Sequence, residues 1–202
     1  MSVAERRESI VAAVLPLVHE RGVLPSTKEI AQAAGVAEGT IFGVFDDKRA
    51  LMHAVAERAF APADGGRELV RAAEAEPDLA TRVARVTTLL QERMRTVTAV
   101  MMALRPLLDH DGARGPRRGG PPEFVVRANR DLLARLTEVF ELDRDALRVE
   151  PAVAASLLRS VVFGAHHPGM ASTAPLSAEQ IADAVLGGVA TRAVAAGPVS
   201  SC

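Results

Sequence analysis

The chain has 202 residues, of which 49% are hydrophobic, 24% charged and 3% aromatic, enough for one ordinary domain or two small ones with a core that folds unaided. Its 24 basic and 25 acidic residues leave a net charge of -1, which excludes a disordered polyelectrolyte. The single cysteine, Cys202, excludes a disulfide framework or a thiolate zinc cluster, and no metal or cofactor is expected.

Glu5, Arg6, Arg7 and Glu8 stand where a signal peptide would be apolar. The apolar run Ile10 to Val18, interrupted by Pro16, is about half the ~20 residues of a bilayer span. A cytoplasmic protein with no membrane attachment is expected. Residues 3 to 21 read as a helix with Ile10, Val14 and Leu17 inward, a kink at Pro16 and a stop at Gly22. Ser26 and Glu29 form an S-x-x-E capping box that opens a second helix, with Ile30, Ala31 and Ala34 inward and Gly35 at its corner. A third helix is predicted from about Ala37 to Val44. A fourth starts at Asp46 or Asp47, presents Leu51, Val55 and Phe60, and ends at the break Ala61 to Gly66, which is the expected domain boundary.

Beyond the break, Arg67 to Ala75 is a short helix, and Asp78 caps a long one through Leu108. The alternation Thr96-Val97-Thr98-Ala99-Val100 could suggest a strand, but the flanking stripe of Met94, Val97, Met101, Leu104 and Leu108 favours helix. Residues 109 to 122 are a Gly- and Pro-rich loop. Val125, Leu132, Leu136, Val139 and Phe140 mark the next helix, with Arg127, Asp131 and Arg135 as charge pairs on its wet face. Pro151 opens another, with Val153, Leu157 and Val161 along one face. Ser177 and Gln180 cap the last one, Leu176 and Ile181 can form a hydrophobic staple, and Ile181, Val185 and Val189 line its apolar stripe. No segment reads as a strand. The expected fold class is all-α, with about nine helices.

The segment Ser26 to Phe45 carries the functional signal. Ala31 is small where a second helix must cross, Gly35 makes the corner, and Ile30, Ala34, Val36, Ile41 and Phe45 point into a shared core. Glu38, Gly39, Thr40 and Gly43 then face outward on a helix short enough to enter a major groove ~12 Å wide. That is a helix-turn-helix spanning about residues 26-45.

Ile30-Ala31, Ala33-Ala34-Gly35-Val36, Gly39-Thr40-Ile41-Phe42, Phe45, Lys48, Leu51 and Ala54-Val55 resemble the TetR (tetracycline repressor-like) family of bacterial transcription regulators over roughly residues 8 to 60. The resemblance implies a DNA-binding domain over residues 1-60 and a helical effector-binding and dimerisation domain over 61-202. It implies a repressor released from a palindromic operator on double-stranded DNA by a small-molecule effector. By resemblance Thr40 and Phe42 contact the DNA backbone, Lys48 and Thr27 contact phosphates, and Ala37, Glu38 and Gly43 face the bases, with Gly39 beside them and Lys28 adding local positive charge.

Family members commonly carry Tyr at the position of Phe42 and His at that of Val44, so this chain lacks those polar groups. Over residues 1 to 60, seven basic residues (Arg6, Arg7, Arg21, Lys28, Lys48, Arg49, Arg58) stand against eight acidic ones (Glu5, Glu8, Glu20, Glu29, Glu38, Asp46, Asp47, Glu57), and 7 minus 8 gives -1. By the same resemblance homodimerisation is expected through helices at about 151-165 and 177-195, where Ala154, Ala155, Ala182, Gly187, Gly188 and Ala190 allow close approach to a partner or, equally, packing within the chain. Candidate effector contacts are Met94, Val97, Met101, Met102, Arg105 and His166; His110 and His167 are more remote candidates. No hydrolase, zinc-protease, P-loop or dinucleotide motif occurs, so an enzyme is not expected. A helical relative that binds a ligand or protein without reading DNA is the alternative.

Overall fold

The computed structural model describes residues 2-61, 64-104, 121-166 and 175-190, with the helical backbone continuing over 105-109. Within these residues there are nine α-helices and no strand. The contacts group the chain into two units, Met1–Ala63 with Arg95–Val126, and Asp64–Met94 with Arg127–Cys202.

In the first unit α1 (Val3–Arg21) starts at a capping box that sequence reasoning did not place. The Ser2 hydroxyl accepts from the Glu5 amide (3.2 Å), and the Glu5 carboxylate accepts from the Ser2 amide (2.6 Å). Gly22 ends the helix in the left-handed region at φ 63°. The helix runs through Pro16 without a break. Ala12, whose carbonyl Pro16 leaves unpartnered in the ladder, is exposed, so water can satisfy it. Ile10, Val11, Val14 and Val18 are buried, while the expected Leu17 lies at the edge of the stripe.

Next come α2 (Thr27–Ala34), α3 (Glu38–Phe42) and α4 (Lys48–Phe60). Ile30, Ala31, Ile41, Phe45, Leu51 and Val55 join the α1 residues in one core, to which α6 (Leu79–Asp109) adds Val100, Ala103 and Leu104. Ala34 and Val36 pack against it partly buried. The Arg7 guanidinium covers the Phe45 ring at 4.4 Å, a cation-π contact that ties α1 to the end of the helix-turn-helix. Phe124, near the start of α7 (Glu123–Glu141), meets His53 and Phe60 of α4 edge-on, at 5.2 and 5.6 Å between ring centroids.

The second unit holds α5 (Arg67–Glu74), the first part of α6, most of α7, a 3-10 turn at Arg144–Ala146, α8 (Pro151–His166) and α9 (Ala178–Val189). Asp78 caps α6 as expected, its carboxylate accepting from the Thr81 amide at 3.0 Å. Val83, Val86, Leu90 and Met94 are buried at three- and four-residue spacing, and the helix continues unbroken through Thr96 to Val100. Arg82 grips Asp143 through both carboxylate oxygens (2.7 Å each) and donates to the Ala73 carbonyl (3.1 Å), pinning α5, α6 and the end of α7.

On α7 the charge pairing differs from expectation. Arg135 pairs with Glu138 and donates to the Gly65 carbonyl, and Asp131 lies by Arg130. A neighbour three residues on, plus a carbonyl in reach, outcompetes the partner four residues back.

Ser177 and Gln180 form their capping box at α9 (2.9 and 3.2 Å). Leu176, expected as the staple, is exposed, and its carbonyl accepts from Gln91 (3.0 Å). Residues 110-120, 167-174 and 191-202, which include most of the predicted loop 109 to 122, His110, His167 and the end of the last predicted helix, lie outside the described residues, while Asp109 is the last residue of α6. Among the described residues no helix is long and apolar enough to cross a membrane.

Candidate nucleic-acid interface

The site begins with how α2 and α3 are held. Ser26 and Glu29 close the predicted box: the Ser26 hydroxyl accepts from the Glu29 amide (3.3 Å), and the Glu29 carboxylate accepts from the Ser26 amide (2.7 Å). Arg21 at the end of α1 donates to the other carboxylate oxygen of Glu29. The Ser26 amide and hydroxyl and the Arg21 guanidinium hold the Glu29 carboxyl down at about 2. Gly35 sits at φ 65°, where the left-handed backbone lets its own amide reach the Gln32 carbonyl (3.3 Å) and the Val36 amide reach Ala31 (3.0 Å). This closes the carbonyl end of α2 and turns the chain sharply into α3.

The third helix is shorter than its predicted span. Ala37 is its extended N-cap and makes no side-chain cap bond, and Gly43 follows its last residue. The final turn then tightens: the Val44 and Phe45 amides both donate to the Ile41 carbonyl (3.1 and 2.8 Å). Ile41 is the one residue of this helix in the core. Ala37, Glu38, Gly39, Phe42 and Gly43 are exposed, and Thr40 is half-buried. Thr27 is half-buried at the first position of α2, and Lys28 beside it is exposed. Lys48 is half-buried as the first residue of α4, directly after Asp47, whose carboxylate accepts from the Ala50 amide at 2.7 Å. The structure therefore puts these nine residues on α2, α3, their flanks and the start of α4, a set held together by one shared core.

The candidate effector contacts do not share one unit. Met94 is buried in the second. Val97 is buried in the first, where Met101 packs against the helix-turn-helix core and Met102 is exposed. His166 is half-buried at the end of α8, with Nδ1–H donating to the Val162 carbonyl (2.9 Å). Arg105 lies outside the described side chains.

The small residues of α8 and α9 divide between the two uses the sequence allowed. Ala154, Ala155, Ala182 and Ala190 are buried inside the chain, where α8 packs on α9. Exposed instead are Gly187, Gly188 and the stripe Val153, Leu157 and Val161, which keep 47, 44 and 37% of their surface. The four-residue spacing of that stripe was visible in the sequence. Its direction was not, because α8 is apolar on both sides.

Residues 10–55 match the family of bacterial regulatory proteins, tetR family. Solved structures share the fold over nearly the whole chain. One is a TetR transcriptional regulator from Streptomyces coelicolor (19% identity, TM-score 0.58, 92% of this chain and 99% of that one). Another is SmeT, the repressor of a multidrug efflux pump of Stenotrophomonas maltophilia (21%, 0.58, 96% and 96%), whose fold was also solved in complex with triclosan. A third is NemR of Escherichia coli in its reduced form (19%, 0.62, 93% and 99%). No curated protein matches the chain.

Proposed function

Because this chain carries the tetR-family helix-turn-helix on the fold of TetR-family transcriptional regulators, we propose that it is a homodimeric, cytoplasmic repressor that a small-molecule effector releases from a palindromic operator. One observation carries the DNA-reading part. The chain's own core uses a single residue of α3, Ile41, and leaves the outward face to something else. In this reading Thr27, Thr40 and Lys48 hold phosphates, with Lys28 nearby, while α3 lies in the major groove. In this reading the reader ends near residue 60 and the effector-binding and dimerisation part follows, while the second half of α6 packs into the reader's own unit.

The exposed stripe Val153, Leu157 and Val161 supports dimerisation, since an apolar row on a helix whose opposite side is already packed suits burial against another copy. Two recognition helices about one DNA turn apart then read two half-sites. The effector would act by binding one arrangement of the dimer more tightly than the other, with a coupling of typically ~1–3 kcal/mol. Met94, Val97, Met101, Met102, Arg105 and His166 are the residues to vary in an effector screen, and SmeT, solved with triclosan, suggests apolar aromatic compounds as first probes.

Selection of duplexes from a random library by the full-length chain tests the reading. A shared palindrome is expected, with binding lost in the Thr40→Ala/Lys48→Ala double variant. A relative that binds a ligand or protein without reading DNA is favoured by the net charge of -1 over residues 1 to 60 and by the missing hydroxyl at Phe42. It would give no enriched sequence even at low salt.

A further inference from the structure

Helix α3 and its flanks contain no Arg, Lys, Asn or Gln, the side chains that make paired hydrogen bonds to guanine or adenine. Among the exposed residues there, the one large apolar side chain is Phe42, which keeps 52% of its surface although it is an aromatic ring next to a well-formed core. Glu38 lies one turn before it on the same stripe. The adjacent stripe is Gly39 and Gly43, both exposed. A Cβ at Gly39 would meet no heavy atom within 4 Å, and one at Gly43 would meet only the Thr40 and Gly39 carbonyls at 3.5 and 3.7 Å. The fold therefore does not require these glycines to relieve crowding, and at Gly39, within the helix, glycine is less favourable than alanine. Open space beside a projecting ring is a shape suited to a partner that approaches the helix closely.

Resting on the DNA-reading function above, we infer that Phe42 is a specificity-determining residue that reads its half-site by packing its ring on a thymine 5-methyl group, with Gly39 and Gly43 letting α3 sit close to the bases. This places Phe42 at the bases and not on the DNA backbone, where the family resemblance puts it. A phenyl ring has no hydroxyl to give a phosphate. The thymine methyl is the one apolar group on the major-groove edge of the bases, and Phe contacts it directly.

The test uses the full-length chain and duplexes enriched from a random library, resynthesised with deoxyuridine at each invariant thymidine in turn. Losing one methyl contact should weaken binding about fourfold, and losing it in both half-sites about fifteenfold. Phe42→Ala should bind thymidine and deoxyuridine duplexes equally, whereas Phe42→Tyr, which keeps the ring, should retain the discrimination. Unchanged thermal melting of both variants separates this from misfolding. Equal binding of the two duplexes by the natural chain, or persistent discrimination by Phe42→Ala, would overturn the inference while leaving the regulator reading intact. Failure to enrich any duplex would overturn both.

Discussion

Two helices of this chain, α3 and α8, turn residues outward that their own units do not use, and the chemistry of the two faces is opposite. On α3 and its flanks the outward set is Ala37, Glu38, Gly39, Phe42 and Gly43: one carboxylate, one ring, and otherwise small residues or bare backbone. On α8 it is Val153, Leu157 and Val161, an unbroken aliphatic row. A face of the first kind suits a wet, charged groove that bases line; a face of the second kind is stabilised only by leaving water. The contrast supports the proposed division of partners, with nucleic acid at one helix and a second copy of the chain at the other.

The largest expected effect comes from spoiling the aliphatic row. Leu157→Glu should leave the helical signal of the chain unchanged but raise the dimer dissociation constant about a thousandfold, roughly 4 kcal/mol, because a carboxylate would be buried without a partner. Sedimentation velocity at micromolar concentration reads this; an unaltered dimer would remove α8 from the interface. Phe45→Ala attacks the support of the other face. The ring is buried in the helix-turn-helix core under Arg7, so its loss should cost about 3–5 kcal/mol in urea unfolding. A smaller change, at a single glycine, sharpens the picture further. Gly35→Ala forces a side chain into the left-handed region and should destabilise by about 1–2 kcal/mol, although nothing lies within 4 Å of the new methyl.

The cap at Ser26 comes next, at about 1 kcal/mol for Ser26→Ala. Its partner Glu29 gives that cap a pH signature. The carboxyl sits at about 2 in the fold against an ordinary 4.5, so its contribution is complete above about 4.5 and is lost as the pH falls through about 2. Glu29→Gln should flatten that acid limb of the stability profile. The smallest effect has the opposite sign: Gly39→Ala should stabilise the free protein by about 0.5–1 kcal/mol, since its site is open and its backbone helical, while weakening DNA binding. A variant that gains stability and still binds DNA normally would show that α3 needs no close approach.

What could be read from the sequence was local. The boxes at Ser26 and Ser177, the cap expected at Asp46 or Asp47 and found at Asp47, the cap at Asp78 and the corner at Gly35 each depend on residues within five positions, and all appear in the structure. The helix-turn-helix was legible for the same reason, because its small and apolar residues fall inside twenty positions. Choices made across distance were not legible. Arg135 takes the Gly65 carbonyl, seventy residues away, in preference to Asp131. Ala154 and Ala155 are buried because α9 lies on them, which turns Val153, Leu157 and Val161 outward. The long helix α6 contributes to two units because its residues from Val100 onward find the core built by α1 to α4.

The most direct measurement is a hydroxyl-radical footprint of the full-length chain on a duplex it selects. Two protected stretches of equal depth should appear, centred about 10–10.5 base pairs apart or at a multiple of that spacing, and both should vanish together with Leu157→Glu. A single protected stretch, or one that survives the loss of the dimer, would contradict a groove-sized helix presented twice.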